Sequence, residues 1–138
     1  MQKNSKRSTN NKKIFILGAS SDIGYEVVKK FLSQGYEVIG HFNKNKKKLS
    51  KIKNSNLSLV NFDLRNIENF EKKIKKNNKI ISVSNFLSLT GYQNTSSIFN
   101  FKIKDFYNHV NVNYLSNIVS LRIIMKRMIK NKYGRVLL

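Results

Sequence analysis

The stretch ILGASSDIG, residues 16–24, decides the fold of this chain. Gly18 and Gly24 bracket a segment of mostly small and polar residues. An apolar run rich in β-forming residues, KIFILG, precedes it over residues 13–18. Residues 22–34, which follow, carry apolar side chains at helical spacing. A strand, a glycine turn and an amphipathic helix in this order predict the first β–α unit of a parallel sheet.

The remaining sequence repeats this alternation of apolar runs and amphipathic segments. Further strands are predicted at 36–42, 57–64, 79–85 and 135–138, and further helices at 43–53, 66–76 and 103–131. Gly35 follows the first helix, at a position that glycine favours. The alternation predicts an α/β fold with helices on both faces of a parallel sheet.

Two of the predicted helices carry apolar side chains along one side, and the stripe of the first is predicted to be buried. The first helix carries Ile23, Val27, Val28, Phe31 and Leu32, and the long helix carries Phe106, Val110, Tyr114, Ile118, Met125 and Met128. Tyr25 and Lys29 lie outside the first stripe, although they have the Tyr-x-x-x-Lys spacing of some catalytic pairs. We interpret them as a solvent-exposed pair.

The composition is strongly basic and lacks cysteine, which bears on possible polyanion partners and metal sites. The 27 Lys and Arg residues against 7 Asp and Glu give a net charge of +20, which attracts polyanions. The lysines are spread along the chain and, with frequent Asn and Ile, are typical of A/T-rich codons. We therefore predict no specific nucleic-acid partner. The absence of cysteine excludes disulfides and thiolate metal sites, and no metal site is predicted.

Neither a membrane span nor a secretory signal is predicted. The sequence has no run of 18 apolar residues, the length that a spanning helix needs. Residues 1–12 are almost all polar and basic, so we interpret them as a disordered tail before one domain at 13–138. The lack of cysteine fits a reducing compartment, and a cytoplasmic location is expected.

The glycine turn carries the first functional expectation. In a doubly wound sheet this turn lies at the carboxyl edge, where the next helix points its free N–H groups and positive dipole end. A pyrophosphate binds there when glycines let the backbone approach it closely. Ser20, Ser21 and Asp22 are all competent helix caps. The loop predicts dinucleotide binding, and the alternative is a purely structural turn.

Several segments, in order, resemble the short-chain dehydrogenase/reductase family. GASSDIG is similar to the family's TGxxxGxG loop, and Asp63 in FDL matches its Asp beside the adenine ring. SVSN, residues 82–85, falls where the family has NNAG, and Asn113 in NVNYLSN matches an Asn that holds a catalytic water. The resemblance covers residues 13–138. It implies a Rossmann-type doubly wound sheet of about five strands, in the order 3-2-1-4-5 and incomplete at its C-terminal edge.

The resemblance implies an NAD(P)-dependent oxidoreductase that transfers hydride between nicotinamide and a small carbonyl or secondary alcohol. The implied cofactor-binding residues are Gly18, Ser20, Ser21, Asp22, Ile23, Gly24, His41, Asn43, Lys44, Asp63, Leu64 and Asn85. Three departures from the family pattern are present. Leu17 stands where the glycine loop usually has Thr, and Asp22 stands at its middle glycine. Phe86 and Leu87 stand where the NNAG segment has Ala and Gly. Asp22 would repel the cofactor if it pointed into the loop, and would be harmless if it pointed away.

The end of the second predicted strand favours NADP, with NAD as the alternative. NAD-binding domains carry an acidic residue here for the ribose 2′-hydroxyl. The segment GHFNKNKKK has no carboxylate, and Lys44, with His41 and Asn43, could meet a 2′-phosphate. The competing interpretation is that these lysines only cover a solvated helix start.

The resemblance places the main catalytic residues beyond the printed sequence. Family members use a Ser after the fifth strand and a Tyr and Lys four apart on the next helix, where the Tyr moves a proton. The printed chain ends at Leu138, so Asn113 is the one implied catalytic group, in a supporting role. We interpret the chain as the N-terminal half of a reductase, cut by a frameshift, a premature stop or a partial gene model. We expect little or no turnover from it alone.

Other functions stay open on the sequence. One is a non-catalytic nucleotide-binding or interaction module, forming a homo-oligomer through the helix at 103–131. Another is a fragment of an extended-family sugar-nucleotide epimerase, whose GxxGxxG loop has a glycine where Ser21 stands. The third is a basic nucleic-acid binder, which would have to keep a sequence preference near physiological salt.

Overall fold

The computed structural model describes residues 12–138, so the predicted disordered tail lies outside the described residues, apart from Lys12. The strands are β1 (Lys13–Leu17), β2 (Glu37–Phe42), β3 (Leu57–Asn61), β4 (Asn85–Ser88) and β5 (Arg135–Leu137). The helices are α1 (Asp22–Ser33), α2 (Ile67–Lys75), α3 (Asn78–Ile81), α4 (Ile103–Val110) and α5 (Ser116–Lys130). A π-helical turn at Asn111–Leu115 joins α4 to α5, and 3-10 turns lie at Leu49–Lys51 and Ile98–Asn100.

The five strands form one parallel sheet in the order β3-β2-β1-β4-β5. The central strand β1 is buried from Ile14 to Leu17, and its side chains alternate between two cores. Phe15 belongs to the core shared with α2 and α5, whereas Ile16 packs with Val28 of α1. This arrangement confirms the predicted doubly wound α/β sheet with helices on both faces.

The prediction of the fourth strand at 79–85 is wrong. Asn78–Ile81 instead form the short helix α3, whose first turn is capped by the side chain of Asn77. The strand begins later, at Asn85, and all four of its residues are buried. Its first and last residues, Asn85 and Ser88, are polar, so the segment lacks the continuous apolar run expected of an inner parallel strand.

The predicted helix at 43–53 is also absent, apart from the 3-10 turn Leu49–Lys51. Leu49 is fully buried, whereas the lysines around it are exposed. A helix with one buried apolar side chain would bury too little apolar surface to be stable. Lysines at helical spacing would also repel one another.

Only part of each apolar stripe is buried. In α1, Val28 and Leu32 are buried as predicted, whereas Ile23 is 70% exposed and Gly24 is buried. In the long helix Met128 is buried, whereas Phe106, Tyr114, Ile118 and Met125 are exposed. The core side carries Val112, Ser116, Val119, Ser120, Ile123, Ile124 and Met128. The two serines are buried because each hydroxyl donates to the carbonyl four residues earlier, at 2.7 Å.

Candidate functional site

A cavity of about 380 Å³ lies at the carboxyl edge of the sheet. Its walls include the residues that follow β1, β2, β3 and β4, as expected where parallel strands end together. The lining residues are Gly18, Ser20, Ser21, His41, Asn43, Lys44, Asp63, Leu64, Arg65, Leu89, Thr90, Gly91, Tyr92 and Val112. Of the twelve residues predicted to bind a cofactor, the structure brings the first eight in this lining together.

The glycine loop leaves no room for side chains at its two glycines. Gly18 has φ +83°, and a Cβ there would lie 2.8 Å from the carbonyl carbon of Leu89. A Cβ on Gly24 would overlap the carbonyl oxygen of Gly18 and lie 2.8 Å from Cα of Ala19. Both glycines are therefore required for β1, α1 and the segment after β4 to meet at one point.

Helix α1 begins at the cavity wall. Ser21 is its N-cap, and its Oγ accepts the N–H of Gly24 at 3.0 Å and donates to the carbonyl of Gly18 at 3.0 Å. The cap fixes the start of the helix, and Ser20 and Ser21 both line the cavity. The positive end of the helix dipole is therefore directed at the cavity, which favours a negatively charged group there.

Asp22 and Ile23 do not line the cavity. Asp22 pairs with Lys48, its side chain is 87% exposed, and the hydrogen bond and charge of Lys48 lower the pKa of its carboxyl. The carboxylate therefore points away from the loop, which is the harmless alternative of the two considered above. Gly24 also lies outside the lining, and acts by letting the loop pack closely.

His41 is a buried link between two walls of the cavity. Its Nδ1 accepts the N–H of Gly18 at 3.1 Å, and its Nε2 lies 3.1 Å from the carbonyl oxygen of Phe62. An N–H must donate, so Nδ1 carries no proton, and Nε2 donates to Phe62. Burial lowers the pKa of His41 to about 4, against the opposing effects of the Phe62 carbonyl and the Asp63 charge. The ring is thus neutral, and both of its nitrogens are used in hydrogen bonds to the backbone, so neither is free to contact a phosphate.

Asp63, which also lines the cavity, forms a two-point ion pair with Arg65. Its Oδ1 accepts Nε of Arg65 at 2.9 Å and the Arg65 backbone N–H at 3.0 Å, and its Oδ2 accepts an Arg65 guanidinium nitrogen at 2.6 Å. The hydrogen bond from Arg65 is the main reason that the pKa of Asp63 lies below its usual range, and the charge of Lys44 contributes. Lys44 itself forms no salt bridge with any residue of 12–138.

The segment after β4, residues 89–92, supplies a wall that the sequence prediction placed elsewhere. Because β4 spans Asn85–Ser88, the residues that reach the cavity are Leu89, Thr90, Gly91 and Tyr92. Asn85 begins the strand, and its side chain donates to the carbonyl of Lys13 and to Ser84. It therefore lies outside the cavity, which corrects the prediction for this residue. The glycine in SLTGY was the sequence signal for the wall that was missed.

Asn113 holds the same segment from the π-helical turn. Its Oδ1 accepts the N–H of Tyr92 at 2.7 Å, and its Nδ2 donates to the Tyr92 carbonyl at 3.0 Å. The Tyr92 ring packs edge-on against His109, with centroids 4.9 Å apart, and its hydroxyl reaches Asp105 at 3.3 Å. In this geometry the Asn113 side chain positions the cavity wall, and Asn113 is not among the lining residues.

The remaining motifs contribute no second reactive centre. Tyr25 and Lys29 lie on α1 outside the cavity lining, where Lys29 pairs with Glu26 at 3.1 Å and lies 5.3 Å from the Tyr25 ring centroid. Residues 12–138 contain no cluster of three or more His, Asp or Glu side chains that could hold a metal ion. No helix in that same range has the length and apolar character needed to cross a membrane.

Comparison with known proteins gives a consistent result. The sequence model of the family described as short chain dehydrogenase matches residues 12–138. No curated protein sequence matches the chain. Similar solved structures include serine dehydrogenase from Escherichia coli, with 17% identity and a TM-score of 0.73 over 90% of this chain and 59% of that one.

Two further similar structures were determined with nucleotides. ElxO with NADP bound is 23% identical, with a TM-score of 0.73, and the match covers 91% of this chain and 54% of ElxO. A short chain dehydrogenase from Leptospira borgpetersenii with bound NAD+ is 19% identical, with a TM-score of 0.75, and the match covers 91% of this chain and 50% of that one. These likenesses establish the shared fold, and the chain spans between half and three-fifths of the length of these three structures.

Proposed function

Since this chain belongs to the short chain dehydrogenase family, we propose that residues 13–138 form the cofactor-binding part of an NAD(P)-dependent oxidoreductase. The observation that carries the proposal is the glycine loop, where Gly18 and Gly24 exclude any side chain at the point where α1 begins. Such a cradle accepts a pyrophosphate, because the backbone can approach it and the helix dipole attracts it.

The rest of the cavity fits an adenosine half that carries a 2′-phosphate. Lys44 lies two residues after the end of β2, in the segment where NAD-binding domains carry an acidic residue for the unphosphorylated ribose. It has no salt-bridge partner within residues 12–138. Leu64 supplies an apolar wall beside Asp63. We therefore propose NADP as the preferred cofactor, with NAD as the weaker ligand.

When bound, the cofactor exchanges a hydride with a small carbonyl or secondary alcohol. The residues of this chain bind and orient it: the α1 terminus takes the pyrophosphate, and Lys44 takes the 2′-phosphate. Members of this family move the proton with a Tyr and a Lys four residues apart, and the pair with that spacing in residues 12–138, Tyr25 and Lys29, lies outside the cavity lining. We therefore propose that the 138-residue chain by itself binds nucleotide and reduces carbonyl compounds little or not at all.

Calorimetric titration with NADP+ and NAD+ tests the proposal. Lys44→Gln should weaken NADP+ binding by about tenfold, the effect of losing one charge-assisted contact, and leave NAD+ binding nearly unchanged. Lys47→Gln is the matched control, because Lys47 is exposed and lies outside the cavity lining. A chain that binds neither nucleotide would refute the proposal, and rapid carbonyl reduction by it would refute the expected lack of turnover.

We also propose that the solvent-facing side of α4 and α5 pairs with a second copy of this chain. It exposes a row of apolar side chains, namely Phe106, Tyr107, Tyr114, Ile118, Met125 and Ile129. An apolar surface of this kind is typical of a protein interface. Ile118→Lys should lower the molar mass measured by sedimentation equilibrium, whereas Ile23→Lys, the same change at an exposed site on α1, should not. A chain that is monomeric before substitution contradicts this pairing.

A further inference from the structure

We propose that Arg65 sets the preference of the cavity for a 2′-phosphorylated cofactor, by neutralising Asp63 rather than by touching the phosphate. The inference rests on the proposed nucleotide site. The two residues share one wall of the cavity, and Lys44, which is proposed to meet the phosphate, lines the same space.

The geometry explains why Arg65 acts through Asp63. Both Asp63 oxygens accept from the guanidinium, at 2.9 and 2.6 Å, so the planar fork of Arg65 is used on the carboxylate. The backbone is fixed too, because Asn111 donates to the Arg65 carbonyl at 2.8 Å and Oδ1 of Asp63 also accepts the Arg65 N–H. Arg65 is therefore held in place before any ligand arrives.

The charges in the cavity determine the consequence. Asp63 is the one carboxylate among the lining residues, and it lies close enough to Lys44 to be influenced by its charge. Without Arg65, this carboxylate would face a phosphate that carries close to two negative charges. Repulsion between like charges within one partly aqueous cavity amounts to about tenfold in affinity. NAD+ lacks the 2′-phosphate, so this repulsion acts on NADP+ alone, whereas any effect on the pyrophosphate is common to both nucleotides.

Calorimetric titration of the unaltered chain and three variants with NADP+ and NAD+ tests the inference. In Arg65→Gln the affinity for NADP+ should fall about tenfold, and the affinity for NAD+ should change by less than about twofold. In the double variant Asp63→Asn, Arg65→Gln the ratio of the two affinities should return to that of the unaltered chain. Arg122→Gln is the control for a lost arginine, because Arg122 pairs with Glu71 outside the cavity lining.

Each other outcome refutes a different step. Equal weakening of both nucleotides in Arg65→Gln would show that Arg65 acts on the part they share. A double variant that stays as weak for NADP+ as Arg65→Gln would show direct contact between Arg65 and the phosphate. Both results overturn the neutralisation and leave the proposed nucleotide site standing. If the unaltered chain binds neither nucleotide, the proposed site fails and the inference fails with it. Thermal unfolding of each variant shows whether the fold has been kept.

Discussion

Acidification below pH 6.5 should destabilise this chain through one side chain, His41. Its neutral ring is 3% exposed, accepts from Gly18 at Nδ1 and donates to Phe62 at Nε2. A proton on Nδ1 would face the Gly18 N–H, so the charged ring must break that bond as well as lose its hydration. The unfolded chain binds the proton more readily, because burial lowers the pKa of His41 to about 4 in the folded chain.

The size and sign of the effect follow from the two pKa values. An unfolded histidine titrates near 6.5, so between pH 6.5 and 4 the unfolded state holds more protons than the folded state. The contribution of His41 to the free energy of unfolding is complete above pH 6.5 and is lost as the pH falls toward 4. The loss amounts to about 3 kcal/mol, which is a large part of the stability of a small domain.

Urea unfolding at pH 7.5, 6.5, 5.5 and 4.5 measures this contribution. His41→Phe keeps an aromatic ring beside Phe62 but cannot titrate, so it should be less stable at pH 7.5 and lose less stability on acidification. His109→Gln, a change at the only other histidine of the described residues, should keep the steep profile. If His41→Phe and the unaltered chain lose the same stability between pH 7.5 and 4.5, the buried neutral histidine is not the cause.

Two substitutions test the packing of the cavity. Gly18→Ala places a Cβ against the backbone of Leu89 at a positive φ and should lower the free energy of unfolding by about 2 kcal/mol or more. Gly91→Ala is the control, because its Cβ would meet open space and should change the melting temperature little. Equal effects of the two substitutions would contradict the close approach at Gly18. Asn113→Ala removes both hydrogen bonds to the Tyr92 backbone and should lower the free energy of unfolding by about 1–2 kcal/mol. The amide hydrogen of Tyr92 should then exchange faster. Unchanged exchange there would show that other contacts hold the segment.

The sheet could be predicted from the sequence because parallel strands buried on both faces are apolar throughout. The segment Ile14–Leu17 of β1 shows this pattern fully, and β2 shows it at Val38, Ile39 and Gly40. The prediction failed at β4, where Asn85 and Ser88 are buried but use their side chains in local hydrogen bonds. It failed in α5 for a similar reason, since Ser116 and Ser120 hide their hydroxyls on helix carbonyls. A pattern that scores polar atoms as exposed cannot detect polar groups satisfied inside the fold.

The cavity residues that belong to sequence motifs were predicted. Those that line the cavity only because of where a strand ends were missed. Gly18, Ser20, Ser21 and Asp63 were found from their motifs, and they do line the cavity. Leu89 to Tyr92 also line it, because β4 begins later than predicted. His41 was expected to face a ligand, but its buried bonds to Gly18 and Phe62 depend on the distance between β1 and β3 across β2. Such a distance is a property of the sheet and has no signature in a single strand.

The π-helical turn connects two of the cavity walls, and no sequence pattern marks it. The turn spans Asn111–Leu115, and its two asparagines contact different segments. Asn111 donates to the carbonyl of Arg65 after β3. Asn113 hydrogen-bonds both the N–H and the carbonyl of Tyr92 after β4. A π turn adds a residue to the helical cycle and shifts the directions of the side chains around it. The local widening thus lets one helical segment hold both walls, while His41 connects the glycine loop to Phe62, the residue that follows β3. The shape of the cavity is therefore set by side-chain amides and one imidazole bonded to backbone, which is why its rigidity should depend on pH through His41 and not through the asparagines.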